Sequence, residues 1–122
     1  MSDPRRALGQ LGERLALEHL ERLGYTVVAR NHRTRFGELD LVVVDGRTLV
    51  FVEVKTRRSY RPGRAWEALH DAKRAQVRRM AVAFLREHRD RPARGDIRFD
   101  AVGITIDPRG QLVDLQHLES AF

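Results

Sequence analysis

Two charged side chains in an apolar run are the first sign of chemistry in this chain. The segment Thr48–Thr56 is β-branched and hydrophobic, yet it carries Glu53 and Lys55. Alternate strand residues face opposite ways, so these two share one face while Val52 and Val54 share the other. A second apolar run, Leu39–Val44, carries Asp40, and the Asp45-Gly46 between the runs is a strong hairpin signal. A two-residue loop at Asp45-Gly46 sets Asp40 opposite Phe51 and diagonal to Glu53; a four-residue loop sets it directly opposite Glu53. Both even counts place Asp40, Glu53 and Lys55 on one face, whereas a three-residue loop parts them.

Two carboxylates at about 4 Å repel by a few kcal/mol at an effective dielectric near 20, unless a cation or a proton intervenes. Lys55 supplies one positive charge, and a divalent cation would supply the rest. The chain has no cysteine, and ligation by oxygen suits Mg²⁺ or Mn²⁺ rather than zinc. Such an ion lowers the pKa of a bound water and stabilises charge building on a phosphate, and Lys55 could orient that water or hold the phosphate. The plainer reading is a salt-bridged strand at an exposed sheet face. Leu41, Val43, Leu49 and Phe51 argue against it, because they make both runs apolar on both faces. Ionisable groups in such a strand need compensation, which favours a functional role.

An antiparallel hairpin brings the start of its first strand and the end of its second to the same end of the sheet. Arg30, Arg33 and Arg35 enter that end, and Arg57, Arg58, Arg61 and Arg64 leave it. A single loop arginine is commonly just solvated, but seven converging could hold a phosphate backbone while the carboxylates present a metal. Composition agrees. Lys plus Arg outnumber Asp plus Glu by 23 to 17, for a formal net charge of +6, so polyanions are natural partners. At 122 residues the expected organisation is a single domain, 1–122. Neither a secretory signal nor an apolar stretch of about 20 residues is visible, so a soluble, cytoplasmic protein without membrane contact is expected.

The surrounding elements must position these groups. Leu8, Leu11, Leu15, Ala16, Leu20 and Leu23 recur at helical spacing between Asp3-Pro4 and Gly24, predicting a first helix over 4–23. Glu13 and Glu18 sit on opposite borders of its apolar stripe, and either could reach a metal; both are ordinary places for flanking charges. Tyr25–Arg30 reads as a strand and Asn31–Phe36 as a loop. Beyond the hairpin, Arg57–Arg64 is a basic loop, and Ala65–His88 has helical periodicity through Leu69, Ala72, Met80 and Phe84. Lys73 and Gln76 fall inside that helix's apolar stripe, where a lysine either snorkels outward or projects into a polar site. Ile97–Ile106 and Gln111–Leu115 read as strands joined by a turn at Asp107–Gly110. Asp100 either neighbours the site or pairs with an arginine. His19, His32, His70, His88 and His117 show no metal-ligand spacing. The order α-β-β-β-α-β-β predicts an α/β fold, a mixed β-sheet flanked by helices.

Gly37-Glu38-Leu39-Asp40 followed by Phe51-Val52-Glu53-Val54-Lys55-Thr56-Arg57 resembles the PD-(D/E)xK nuclease pattern as it occurs in the YraN family of uncharacterised bacterial proteins. Gly9, Gly12-Glu13, Ala16, Gly24-Tyr25, Asn31, Lys73, Arg98-Phe99-Asp100 and Ala121-Phe122 extend the likeness over most of the chain. Leu39 stands where the pattern's name has proline. The resemblance implies a restriction-endonuclease-like fold, similar to that of archaeal Holliday-junction resolvases. It further implies Asp40, Glu53 and Glu13 as metal ligands, Lys55 as the catalytic lysine, and Lys73 and Gln76 as auxiliary residues. The function expected is therefore a Mg²⁺- or Mn²⁺-dependent endonuclease acting on nucleic acid, with DNA the expected substrate and a homodimer an assembly to consider. Arg33, Arg35, Arg57, Arg58, Arg61 and Arg64 would bind the backbone. Two alternatives stand beside it: a non-catalytic nucleic-acid-binding protein, and a basic adaptor for an acidic protein partner. Fold does not fix function.

Overall fold

In the computed structural model, which describes residues 3–62, 70–91, 93 and 95–122, Asp3 accepts a hydrogen bond from the N–H of Arg5 at 2.9 Å and Pro4 opens the first helix. That start is the expected one, since a proline loses nothing at a position whose N–H has no helical partner. The helix α1 spans Pro4–Arg22; β1 (Thr26–Thr34), β2 (Gly37–Asp45) and β3 (Thr48–Arg58) follow, then α2 (Asp71–Glu87), β4 (Ile97–Ile106) and β5 (Leu112–Leu118). The α-β-β-β-α-β-β order matches that read from the sequence. The predicted helix start at 65–69 and Arg64 lie outside the described residues.

The strands form one mixed sheet in sequence order, β1-β2-β3-β4-β5. All neighbours are antiparallel except β3 and β4, which are parallel. A parallel pair needs a long return connection, and α2 lies within it. Side-chain alternation splits β3 between two cores. Val50, Val52 and Val54 join Ala16, Leu17 and Leu20 of α1, while Leu49 and Phe51 join Val77, Met80, Ala81 and Phe84 of α2. The helices therefore cover opposite faces, which is why β2 and β3 read as apolar on both sides.

Several boundaries differ from the sequence reading: β2 begins at Gly37, β3 runs on to Arg58, into the stretch read as a basic loop, and β5 continues to Leu118. Asn31–Phe36 is no loop: β1 runs on to Thr34, paired with Gly37, and the turn is only Arg35-Phe36. Thr34 Oγ1 donates to the Gly37 carbonyl and accepts from the Phe36 N–H, at 2.9 and 3.0 Å. The polar composition there is that of an edge strand, where charge is tolerated and blunts edge-to-edge pairing. At the central hairpin the turn is Gly46-Arg47, with Asp45 opposite Thr48 and Gly46 at φ +61°. This is a two-residue turn one position later than Asp45-Gly46, and it produces the register expected of the four-residue loop.

Gly12 brings α1 onto β3. A Cβ at this position would lie 1.8 Å from Thr56 Oγ1 and 2.8 Å from both Thr56 Cβ and Cγ2, so rotating the hydroxyl away relieves only part of the clash. Gly12→Ala is expected to destabilise the fold by about 1–3 kcal/mol through overpacking, despite alanine's better helix propensity. A lower midpoint in urea with an unchanged slope would bear this out; an unchanged or higher midpoint would not. Among the described residues, no helix is long and apolar enough to cross a membrane.

Candidate functional site

Asp40 sits where the sheet's regularity breaks. The β2–β3 register ends at Leu41↔Val52, and the next position along that ladder aligns Asp40 with Glu53. On the other side, β1 pairs Arg30 with Leu41 and His32 with Leu39, passing over Asn31 opposite Asp40. Asn31 adopts φ +48°, a left-handed conformation that asparagine tolerates better than most residues. Alternation breaks as well. Leu39 and Val42, three residues apart, both pack in the α2-side core, while Leu41 packs against α1. In place of a ladder bond, Asp40 Oδ2 accepts the N–H of Val54 at 2.8 Å. An aspartate carboxylate thereby replaces a backbone carbonyl between two central strands.

Glu53 is buried beside it, 3% exposed. Its Oε1 meets Lys73 Nζ of α2 at 3.2 Å, while its buried Oε2 has no hydrogen-bond partner among the described residues when Asp40 is ionised. Burial, reinforced by the Glu53 charge and more weakly by Glu13, pushes the Asp40 carboxyl up to about 8; the Val54 N–H and Lys73 act in the opposite direction. Burial also raises Glu53, against the pull of Lys73 and Lys55. Two carboxyls and too little positive charge make a pair that holds a proton near neutrality. Protonated Asp40 is then the donor available to Glu53.

The predicted residues separate into those that meet and those that do not. Asp40, Glu53 and Lys73 meet directly. Lys55 acts on Glu53 through its charge and lines a cavity with Lys73, Gln76, Phe36 and His70. Gln76 Nε2 donates to the Phe36 carbonyl at 2.6 Å, tying α2 to the β1–β2 turn. Glu13 accepts from Asn31 Nδ2 at 3.0 and 3.3 Å. Its charge is felt by Asp40, but the oxygens of Glu13, Asp40 and Glu53 do not all come within 4.8 Å of one another. Glu18 instead lies near Arg14, at 3.9 Å.

Arg33 lines a cavity with Glu13, Asn31 and Glu38, and Arg35 stacks over Phe36 at 4.8 Å. Arg57 donates to the Arg61 carbonyl at 3.1 Å, closing its own loop, and Arg58 donates to the Pro108 carbonyl at 3.2 Å. Sequence reasoning left Lys73 evenly balanced between snorkelling and a polar site, and it did not foresee Asn31 as the partner of Glu13. The signals were present: a lysine inside an apolar stripe, and an asparagine where a strand needs a left-handed residue.

Asp100 belongs to a different structure. It is fully buried, and it accepts from Arg98 Nε and Nη2 at 2.8 and 2.9 Å, His117 Nε2 at 2.8 Å and the Ser120 N–H at 3.1 Å. Arg98 extends the network to Asp45 and the Tyr25 hydroxyl. Of the two readings made from the sequence, pairing with an arginine is the one observed.

Fold and site together define an α/β protein whose mixed five-stranded sheet opens beside a central hairpin to hold a buried pair of acids, with lysines from β3 and α2. Residues 12–104 match the family model described as "Uncharacterised protein family UPF0102". The chain is 41% identical over 123 residues to a UPF0102 protein of Pelotomaculum thermopropionicum, covering 100% of both chains. It is 47% identical over 116 residues to one of Frankia alni, covering 95% of this chain and 94% of that one. With one of Herpetosiphon aurantiacus the identity is 42% over 122 residues, covering 98% and 97%. The chain belongs to the UPF0102 family, and the matched residues span every acid and lysine of the site.

Proposed function

We propose that this protein is a divalent-metal-dependent nuclease of PD-(D/E)xK type, hydrolysing phosphodiester bonds in nucleic acid, with DNA as the preferred substrate in the cytoplasm. The observation that carries the reading is the buried Asp40–Glu53 pair, in which Glu53 Oε2 finds no hydrogen-bond donor among the described residues once Asp40 is ionised. An oxygen left bare beside a second carboxylate fits a hard divalent cation, Mg²⁺ or Mn²⁺. Asp40 and Glu53 would hold it, with Glu13 the further acid on the α1 side. Bound there, the ion supplies a water of lowered pKa and positive charge against a phosphate.

The chain's own groups account for the remaining work. Val54 N–H fixes one Asp40 oxygen, and Lys73 holds Glu53 Oε1, so both acids are oriented before any ligand arrives. Lys55, lining the neighbouring cavity, is placed to hold a phosphate oxygen and offset charge as the bond breaks. Arg33, Arg35 and Arg79 lie beside the surrounding cavities and are suited to phosphate contacts, which set affinity and its salt dependence rather than sequence preference.

The test is a panel of linear, branched and single-stranded DNA with Mg²⁺ or Mn²⁺. Lys55→Ala is expected to lower cleavage roughly 10²–10³-fold, the scale of losing one group that stabilises developing charge, with binding to nucleic acid largely kept. Cleavage that survives both Lys55→Ala and Asp40→Asn removes the assignment. Salt-sensitive binding without cleavage by the unaltered protein would favour the non-catalytic reading, and indifference to every polyanion would favour the adaptor.

A further inference from the structure

The five histidines show no metal-ligand spacing along the chain, but the fold brings two of them together at the opposite end of α2 from Lys73. His32 lies on β1, Glu87 is the last residue of α2, and His88 follows it, at φ −122° and ψ 65°, where the chain leaves the helix. The ligand atoms of these three all lie within 4.8 Å of one another, the one such group of His, Asp or Glu found among the described residues.

Their orientation is that of ligands held in advance. His88 Nδ1 lies 3.0 Å from the Phe84 carbonyl, which also accepts the His88 backbone N–H at 2.9 Å. A carbonyl can only accept, so Nδ1 carries a hydrogen, and in the neutral ring this leaves Nε2 its lone pair. A second ring nitrogen donating to a backbone carbonyl is the usual support of a metal-bound histidine. Buried Phe84 positions both rings: His88 stacks on it at 4.0 Å, and His32 meets it edge-on at 5.1 Å. His32 Nε2 lies 3.2 Å from Glu87 Oε2, so a hydrogen between them occupies a place that a cation could take.

We propose that His32, Glu87 and His88 form a zinc site that clamps the C-terminal end of α2 to the edge strand β1. Two imidazole nitrogens and one carboxylate oxygen, with water as fourth ligand, are a donor set zinc accepts and Mg²⁺ or Ca²⁺ does not favour. With metal–ligand distances of about 2.0–2.1 Å, tetrahedral donors stand roughly 3.4 Å apart. His32 Nε2 and Glu87 Oε2 already stand 3.2 Å apart; a pair at the 4.8 Å limit would have to close by roughly 1.4 Å, and the Glu87 side chain, 55% exposed, is free to move. Arg86, Arg89 and Arg91 line the adjoining cavity with Glu87 and His88. Their charge opposes a dication, so the affinity expected is micromolar rather than nanomolar.

The site is tested on the full chain, stripped of metal and kept in Mg²⁺. Zinc chloride is titrated by calorimetry, and Co²⁺ is followed by visible absorption. One equivalent of zinc, a tetrahedral Co²⁺ spectrum and a melting temperature raised by several degrees are expected. Asp40→Asn should retain all three, and His32→Gln and His88→Gln should each lose them. Because those histidines pack on Phe84 and their variants could misfold, Glu87→Gln on the exposed side chain is the second arm, with zinc bound at least tenfold more weakly. The proposal is overturned by the absence of one-to-one zinc binding, by zinc affinity unchanged in Glu87→Gln, or by binding lost in Asp40→Asn and kept in His88→Gln.

Discussion

Asp40→Asn is expected to make the metal-free protein more stable by a few kcal/mol near pH 7 while abolishing metal-dependent cleavage. The native carboxyl is pushed up to about 8, chiefly by burial and then by Glu53, from an ordinary value of 3.8. Below pH 3.8 it is protonated whether the chain is folded or not, and it contributes nothing to pH dependence. Between 3.8 and about 8 the unfolded chain has released the proton and the native chain has kept it, so native stability falls as pH rises through this window. Above it, the penalty is constant. Asparagine has nearly the same shape, and its side-chain carbonyl can still accept the Val54 N–H. Its amide can donate to Glu53 at every pH, as the protonated Asp40 does only below about 8. Denaturant unfolding in chelator at several pH values measures the effect. The two proteins should converge near pH 4 and diverge steadily toward pH 8. Saturating Mg²⁺ should raise the midpoint of the unaltered protein and leave that of Asp40→Asn where it was. Parallel pH profiles would mean that Asp40 ionises normally and that the pair is an ordinary polar contact. A residue whose removal strengthens the fold while ending activity is expected where like charges are gathered for a purpose.

The opposite outcome is expected at Asp100, where the charge is fully paired. Burial alone would raise this carboxyl, but the hydrogen bonds from His117, Arg98 and the Ser120 N–H outweigh it and hold Asp100 below 3.8. Asp100→Ala would leave Arg98 largely buried, 16% exposed at its side chain, and would strip partners from His117 and the Ser120 amide. Breaking a buried pair from one side costs about 3–5 kcal/mol, corresponding to a melting temperature lower by roughly 10–20 °C for a chain of this size. The sign with pH is the reverse of that at Asp40. A depressed carboxyl stabilises the native state above 3.8, and the contribution drains away as pH falls below 3.8 toward the lower native value. Acid unfolding should therefore begin at higher pH in the variant only to the extent that its reserve is smaller, with the Asp100-linked proton uptake missing. Well below its new melting temperature, the variant should still cleave at the native rate per folded molecule. A variant that melts normally would remove the network from the fold's main supports. One that folds normally yet is inactive would instead move Asp100 into the site.

How much of this was legible before folding follows from the range of the interactions involved. Alternation in Thr48–Thr56 and the Asp45-Gly46 signal located the central hairpin, because strand period and turn chemistry act between near neighbours. The same locality revealed both helices and the out-of-place charges Glu53 and Lys55. Register was less accessible. Moving the turn from Asp45-Gly46 to Gly46-Arg47 sets Asp40 against Glu53 rather than Phe51, and local chemistry barely distinguishes the two. Pairing with β2, not local propensity, extends β1 through the polar stretch to Thr34.

Side-chain destinations were less legible still. Spacing could place Lys73 within a stripe but could not say that its ammonium meets Glu53, since that distance depends on how α2 packs across the sheet. Nor could it send Arg58 to Pro108, or join His32 to Glu87 and His88. These residues are far apart in sequence, and their approach is set by helix-on-sheet packing and chain reversal. Residue type and short-range period were enough to name Asp40, Glu53 and Lys55 and the strands that carry them, whereas only the family resemblance preferred Glu13 to Glu18. Which charges remain uncompensated came from long-range packing, because desolvation and pairing are properties of the assembled interior.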